Sequence, residues 1–193
     1  MKKSATLSLS AALILGGCAS MPTPGQLTFD TLSVEKRVLL TADTNSPAYD
    51  MKLNVKYVKE GSEDVRKVVN DAITAKLFNT HNVDIKMAVD SFIKEKTNSY
   101  INDMLPLYKE DMRSIDKRPI YEHEVSIKTN TKDGMEGIVT YFIDMYTFEG
   151  GAHGYNQLLT LNFDKSTGKT VTLDDVLVPG YKVKLNDLLQ KAL

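Results

Sequence analysis

The sequence predicts an α+β fold, an antiparallel β-sheet with two helices inserted between strand pairs. Three observations carry that prediction. Two alternating apolar segments come early, over 27–40 and 49–57. Two stretches with helical periodicity follow, the second long. After Pro119 the period returns to two and turn residues punctuate it. Strands set apart from paired helices belong to α+β architectures rather than to alternating α/β ones.

The first strand carries Phe29, Leu32, Val34, Val38, Leu39 and Leu40. Asp43-Thr44-Asn45-Ser46-Pro47 is a loop by composition. In the second strand Tyr49, Met51, Leu53, Val55 and Tyr57 share one face, and the loop before it makes the two strands an antiparallel pair. Glu60-Gly61-Ser62 ends the strand, and Ser62 is the expected N-cap of a helix with Glu63 and Asp64 in its first turn. Val65, Val68, Val69, Ala72, Ile73 and Leu77 form the apolar stripe of that helix, which ends at Asn79-Thr80-His81-Asn82. The second helix takes Asp84 as N-cap and runs through Ala88, Val89, Phe92, Tyr100, Ile101 and Met104. Pro106 should kink or divide it, with the pattern resuming through Tyr108 and Met112.

Beyond Arg118-Pro119, Tyr121–Lys128 alternates as a strand with His123, Val125 and Ile127 on one face. Asn130-Thr131-Lys132-Asp133-Gly134 is a hairpin-type turn leading into a strand over 137–148. Glu149-Gly150-Gly151-Ala152-His153-Gly154 interrupts the sheet, and 158–163 forms a further strand. Asp164-Lys165-Ser166-Thr167-Gly168 fits a turn with Gly168 left-handed, returning into Thr170–Leu173. Asp174-Asp175 marks the start of a short helical turn, and Pro179-Gly180 precedes a helix carrying Leu185, Leu188, Leu189 and Ala192. That pattern stops at Leu193 without a cap, so the C-terminal half, 119–193, is expected to be incomplete beside an N-terminal half over 27–118.

The N-terminus specifies an address. Lys2 and Lys3 precede an apolar run from Ala5 to Leu15, too short for the roughly 20 residues of a membrane-spanning helix. Leu15-Gly16-Gly17-Cys18 then matches a bacterial lipobox, making 1–17 a signal peptide, Cys18 the lipidated residue and 18–26 a tether. The small glycines suit a narrow protease site, and the thiol is the nucleophile that accepts diacylglycerol. Two acyl chains suffice for stable anchoring. Neither Ala19 nor Ser20 is the aspartate of inner-membrane retention, so the expected location is the outer membrane, facing the periplasm.

Cys18 is the single cysteine, so lipidation leaves no thiol for disulfides or metal ligation. Loss of Lys2 and Lys3 with the leader takes the formal charge from −1 to −3, against the basic face that nucleic-acid binding needs. His81, His123 and His153 lack ligand spacing, and zinc needs three or four convergent ligands, so no metal or other cofactor is expected. Strand alternation separates His123 from Glu122 and Glu124. No Gly-x-Ser-x-Gly elbow is present, which weighs against a serine hydrolase.

The densest candidate site is the turn formed by Gly150, Gly151, His153, Gly154 and Tyr155, flanked by Tyr146 and Glu149. Three glycines in five positions require special backbone angles or close approach. His153 in such a turn is suited to ligand binding or proton transfer; the commoner role is to hydrogen-bond its own turn. Tyr141, Tyr146, Tyr155 and Tyr181 offer a binding surface, although half-buried strand aromatics are the more usual explanation.

The strings Tyr146-Thr147-Phe148-Glu149-Gly150-Gly151-Ala152-His153-Gly154, Leu161-Asn162-Phe163-Asp164 and Thr167-Gly168-Lys169-Thr170-Val171-Thr172-Leu173-Asp174-Asp175-Val176 carry a resemblance. The chain resembles the extracellular domain shared by lysozyme-sensing anti-sigma factors of the RsiV type and the N-terminal part of PdaC-type peptidoglycan deacetylases. The resemblance is strongest over 136–193 and extends from about 27. It implies an envelope domain that binds protein or glycan and has no catalytic residues of its own. The chain departs from the sensors in having a lipid anchor in place of their transmembrane helix. The function favoured is therefore a non-catalytic envelope lipoprotein that binds a lysozyme-like muramidase or peptidoglycan. The alternatives are a small periplasmic hydrolase using His153 and an assembly or scaffolding lipoprotein.

Overall fold

The computed structural model describes residues 27–111, 119–135 and 137–192; the leader, Cys18, the tether and Met112 lie outside them. The chain is α+β: five strands form one mostly antiparallel sheet in the order β1-β2-β3-β4-β5. β1 (Thr28–Leu39) and β2 (Ala48–Glu60) pair antiparallel along almost their whole length. α1 (Glu63–Phe78) and α2 (Ile85–Asp111) follow, and a 3-10 turn (Pro119–Tyr121) leads into β3 (His123–Asp133). β4 (Ile138–Glu149) and β5 (Tyr155–Asp164) complete the sheet, with α3 (Leu173–Val176) and α4 (Tyr181–Ala192) beyond it.

One pair departs from the antiparallel expectation. β2 and β3 are parallel, from Tyr49 opposite His123 to Asn54 opposite Lys128. A parallel neighbour needs a long crossover, which the two helices supply. Past Asn54 the two strands part, and side chains replace the ladder. The Thr129 hydroxyl accepts from Lys56 N–H at 2.7 Å, and the Tyr141 hydroxyl donates to the Lys56 carbonyl at 2.7 Å. The Asn70 amide, on α1, accepts from Val58 N–H at 2.8 Å and donates to the Val58 carbonyl at 2.9 Å. Backbone groups that would otherwise be buried and unpaired are thereby satisfied. The burial phase of β2 changes here too: Val58 is buried and Tyr57 only half-buried, against simple alternation.

The core lies between the sheet and the two helices. Met51, Leu53 and Val55 of β2 and Val125 and Ile127 of β3 meet Val65, Val69, Ile73 and Leu77 of α1 and Val89 of α2. Each such side chain contributes about 1.5–3 kcal/mol by leaving water. Phe78 and Phe92 join the helices at 5.2 Å between ring centroids. Of the α1 stripe only Val68 stays largely exposed. Ser62 occupies the N-cap position without a side-chain cap bond, whereas Asp84 does cap α2, accepting from Lys86 N–H at 2.9 Å. α2 runs undivided through Pro106.

Several boundaries move. Tyr121 belongs to the 3-10 turn, so β3 starts at His123. Residues 130–133 look like a turn but pair with Val139–Phe142, so β3 extends to Asp133 before the chain returns in β4. Cross-strand pairing outweighs local turn preference there. β5 begins three residues early, at Tyr155. The expected strand at Thr170 reduces to one bridge with Phe163, because Leu173 starts a helix whose Asp175 carboxylate accepts from Thr172 N–H at 2.7 Å.

Candidate functional site

The glycine turn joins β4 to β5, and each of its glycines has a separate reason to be glycine. Gly150 has φ +81, and a Cβ there would fall onto the Ile120 carbonyl of the 3-10 turn. Gly154 lies beneath the Tyr146 ring, which a Cβ would strike. Gly151 has φ +96 and open space around it. The turn is therefore clamped at both ends, and its tip is free.

Ala152, His153 and Tyr155 are exposed, Tyr155 by 66%. His153 Nδ1 makes one long contact, 3.4 Å to the carbonyl of its neighbour Gly154. Among the described residues no carboxylate is hydrogen-bonded to this ring, and no group of three His, Cys, Asp or Glu side chains is placed to hold a metal ion. In a Ser-His-Asp triad a buried carboxylate of this kind orients the imidazole. The turn presents an imidazole and a phenol to solvent on a fixed frame, which suits recognition. Glu149 ties the frame to α2 through Lys96 at 3.4 Å.

Beneath the turn lies a cluster that the linear sequence did not reveal. Glu149 stands opposite His123 in the β3–β4 register. The His123 ring packs against Tyr49 and Tyr100, with centroids 5.6 and 5.0 Å away. The Tyr100 hydroxyl donates to the Tyr121 carbonyl at 2.8 Å, and the Tyr121 hydroxyl to Asp111 at 2.6 Å. Among the described residues, Tyr49 Oη and His123 Nε2 are buried with no hydrogen-bond partner. Burial holds the His123 imidazole below its ordinary value, with Lys96 acting the same way and Glu149 and Glu122 opposing. Burial, reinforced by Glu149, pushes the Tyr49 phenol up to about 12. The residues come from β2, α2, β3 and β4, so no local motif announces them.

The other expected tyrosines separate. Tyr141 is fully buried in the core, and Tyr181 sits on α4, so only Tyr146 and Tyr155 flank the turn. An open groove of about 650 Å³ lies elsewhere, between the end of β2, α1 and the start of α2; Lys59, Arg66, Lys67, Asp71 and Asp84 line it. Its mixed charges favour neither sign of ligand. Among the described residues no helix is long and apolar enough to cross a membrane.

Solved structures of the same fold belong to the DUF3298 family. A member from Bacteroides fragilis NCTC 9343 is 25% identical with a TM-score of 0.80, over 87% of this chain and 68% of that one. A DUF3298 family protein from Pseudomonas aeruginosa PAO1 matches at 15% identity and a TM-score of 0.50, over 88% of this chain and 67% of that one; it shares the fold. No family model matches the sequence, and no curated protein does.

Proposed function

We propose that this protein is a bacterial envelope lipoprotein, held through Cys18, whose α+β domain is a non-catalytic binding module for a lysozyme-like muramidase or for peptidoglycan. The observation that carries this reading is the clamped turn, which holds His153 and Tyr155 in solvent while giving His153 no acid–base partner among the described residues. The lipobox supplies the anchor, and the resemblance to RsiV-type and PdaC-type envelope domains supplies the ligand class. Tyrosine is well suited to the centre of such a contact, since it adds a large amphipathic surface at low entropic cost.

Two measurements test the proposal. Labelled palmitate should enter the wild-type chain and be absent from Cys18→Ser. The detergent-solubilised chain should bind lysozyme or purified sacculi saturably, with Tyr155→Ala and His153→Ala weakening binding at unchanged melting temperature. Failure to bind both ligands would overturn the binding assignment. Loss of an identified hydrolytic activity in folded His153→Ala would replace it with an enzymatic one.

A further inference from the structure

Three neighbouring strands put Tyr49, His123 and Glu149 in one row at the end of the sheet that carries the glycine turn. Tyr49 stands opposite His123 across the parallel β2–β3 ladder, and His123 opposite Glu149 across the antiparallel β3–β4 ladder, so the three side chains share a face. α2 covers this row with residues one turn apart: Tyr100 packs on the His123 ring, and Lys96 pairs with Glu149 at 3.4 Å. Ile120, whose carbonyl lies against Gly150, also offers its backbone to the His123 ring as a hydrogen-bond partner.

This row suits a neutral imidazole. Tyr49 and Tyr100 flank the ring, and its Nε2 is buried without a partner among the described residues. A proton added there brings a charge into surroundings that penalise it. The titratable and charged groups facing the ring are Tyr49 of β2, Lys96 and Tyr100 of α2, Glu122 just before β3 and Glu149 of β4. Glu122 already accepts from Ala48 N–H at 3.0 Å. Glu149 is more than half exposed and shared only with the partly exposed Lys96. Directly opposite positions on a ladder bring their side chains together, so Glu149 is the carboxylate a protonated ring can recruit.

We infer that His123 is an acid-sensitive latch for the frame of the glycine turn. Neutral, its ring fills the space between Tyr49 and Tyr100 and leaves Glu149 to Lys96, which ties α2 to the strand that carries the turn. Protonated, the ring moves toward Glu149 and takes it from Lys96, so the end of β4 and the part of α2 above it loosen together. Gly150 and Ile120 meet at this junction, so the base of the turn answers to the charge on one side chain. The latch acts on the frame and does not depend on what the turn binds.

Hydrogen exchange of the full chain in non-ionic detergent tests the inference. Protection factors are compared at about pH 7.5 and about pH 5, on either side of the ordinary imidazole value of about 6.5. Acidification should lower protection over 96–104 and 147–155 roughly ten-fold, as uptake of one proton allows, while α1 keeps its protection. His123→Phe keeps an aromatic ring without a titrating nitrogen and should lose the response. Where that variant fails to fold, the NMR titration of His123 itself decides. Lys96→Met removes a repelling charge and should move the His123 midpoint up, whereas Glu149→Gln should move it down. Protection that does not change with pH, a response that survives in folded His123→Phe, or a midpoint that neither charge variant moves would overturn it. No ligand enters the measurement, so its failure leaves the binding assignment standing.

Discussion

α1 and α4 carry nearly the same apolar spacing and meet opposite fates. Val65, Val69, Ile73 and Leu77 of α1 are buried against β2, while Leu188 and Leu189 of α4 are more than half exposed and α4 buries no residue. Periodicity therefore reports a helix's capacity to bury a face, and the sheet decides whether that capacity is used. α1 lies on β2 and is pinned there by Asn70; α4 follows Pro179 and Gly180, beyond the last strand.

The largest test of this contrast is truncation in the two helices. Ile73→Ala should cost about 2–5 kcal/mol in urea unfolding, since it leaves a cavity in a close-packed core. Leu189→Ala should change stability by no more than about 0.5 kcal/mol, the range for surface substitutions. Equal losses would mean that α4 is covered in solution.

The same contrast between packed and open surroundings divides the glycines of the turn. Gly150→Ala should destabilise by about 2 kcal/mol or more, because a positive φ and the Ile120 carbonyl both oppose the methyl group. Gly151→Ala meets the backbone penalty alone, about 1–2 kcal/mol, and should fold normally. Comparing their thermal midpoints separates clamp from conformation.

A subtler effect concerns His123, which stands opposite Glu149 beneath the turn. Folding favours neutral His123, whose value lies below the unfolded one. Its stabilising contribution is thus complete above the unfolded value of about 6.5 and is lost as pH falls through the lower folded value. Glu149, Glu122 and Lys96 face this ring along with Tyr49 and Tyr100, so the profile belongs to the cluster. Stability of the wild type should decline on acidification over that window, and His123→Phe should flatten the decline. A small effect is also expected at the partly exposed Lys96–Glu149 pair: Lys96→Ala should cost about 0–1 kcal/mol and fade with added salt.

The α+β class, both long helices and the strands β1, β2 and β4 were legible because their residues alternate or recur on their own. The β2–β3 parallel pairing was not, since it depends on which way a two-helix crossover returns. The Asn130–Gly134 stretch misled because Asn, Asp and Gly favour turns locally, while Val139–Phe142 holds Asn130–Asp133 in a ladder. At the candidate site the sequence exposed the glycines but not the partners that require them, Ile120 and Tyr146. Nor did it expose the Tyr49–Tyr100–His123 cluster, whose members are far apart along the chain.

Asn70 has a consequence for how this fold tolerates change. One amide meets both backbone groups of Val58, so it acts as a key that sets the rotational phase of α1 on the sheet. Slipping the helix by one residue would turn its faces by about 100° and lose both bonds. Aspartate in its place would keep the acceptor and lose the donor, and glutamine would overshoot by one methylene. Insertions or deletions in the Gly61-Ser62 connection should therefore be accommodated only where they return that amide to Val58.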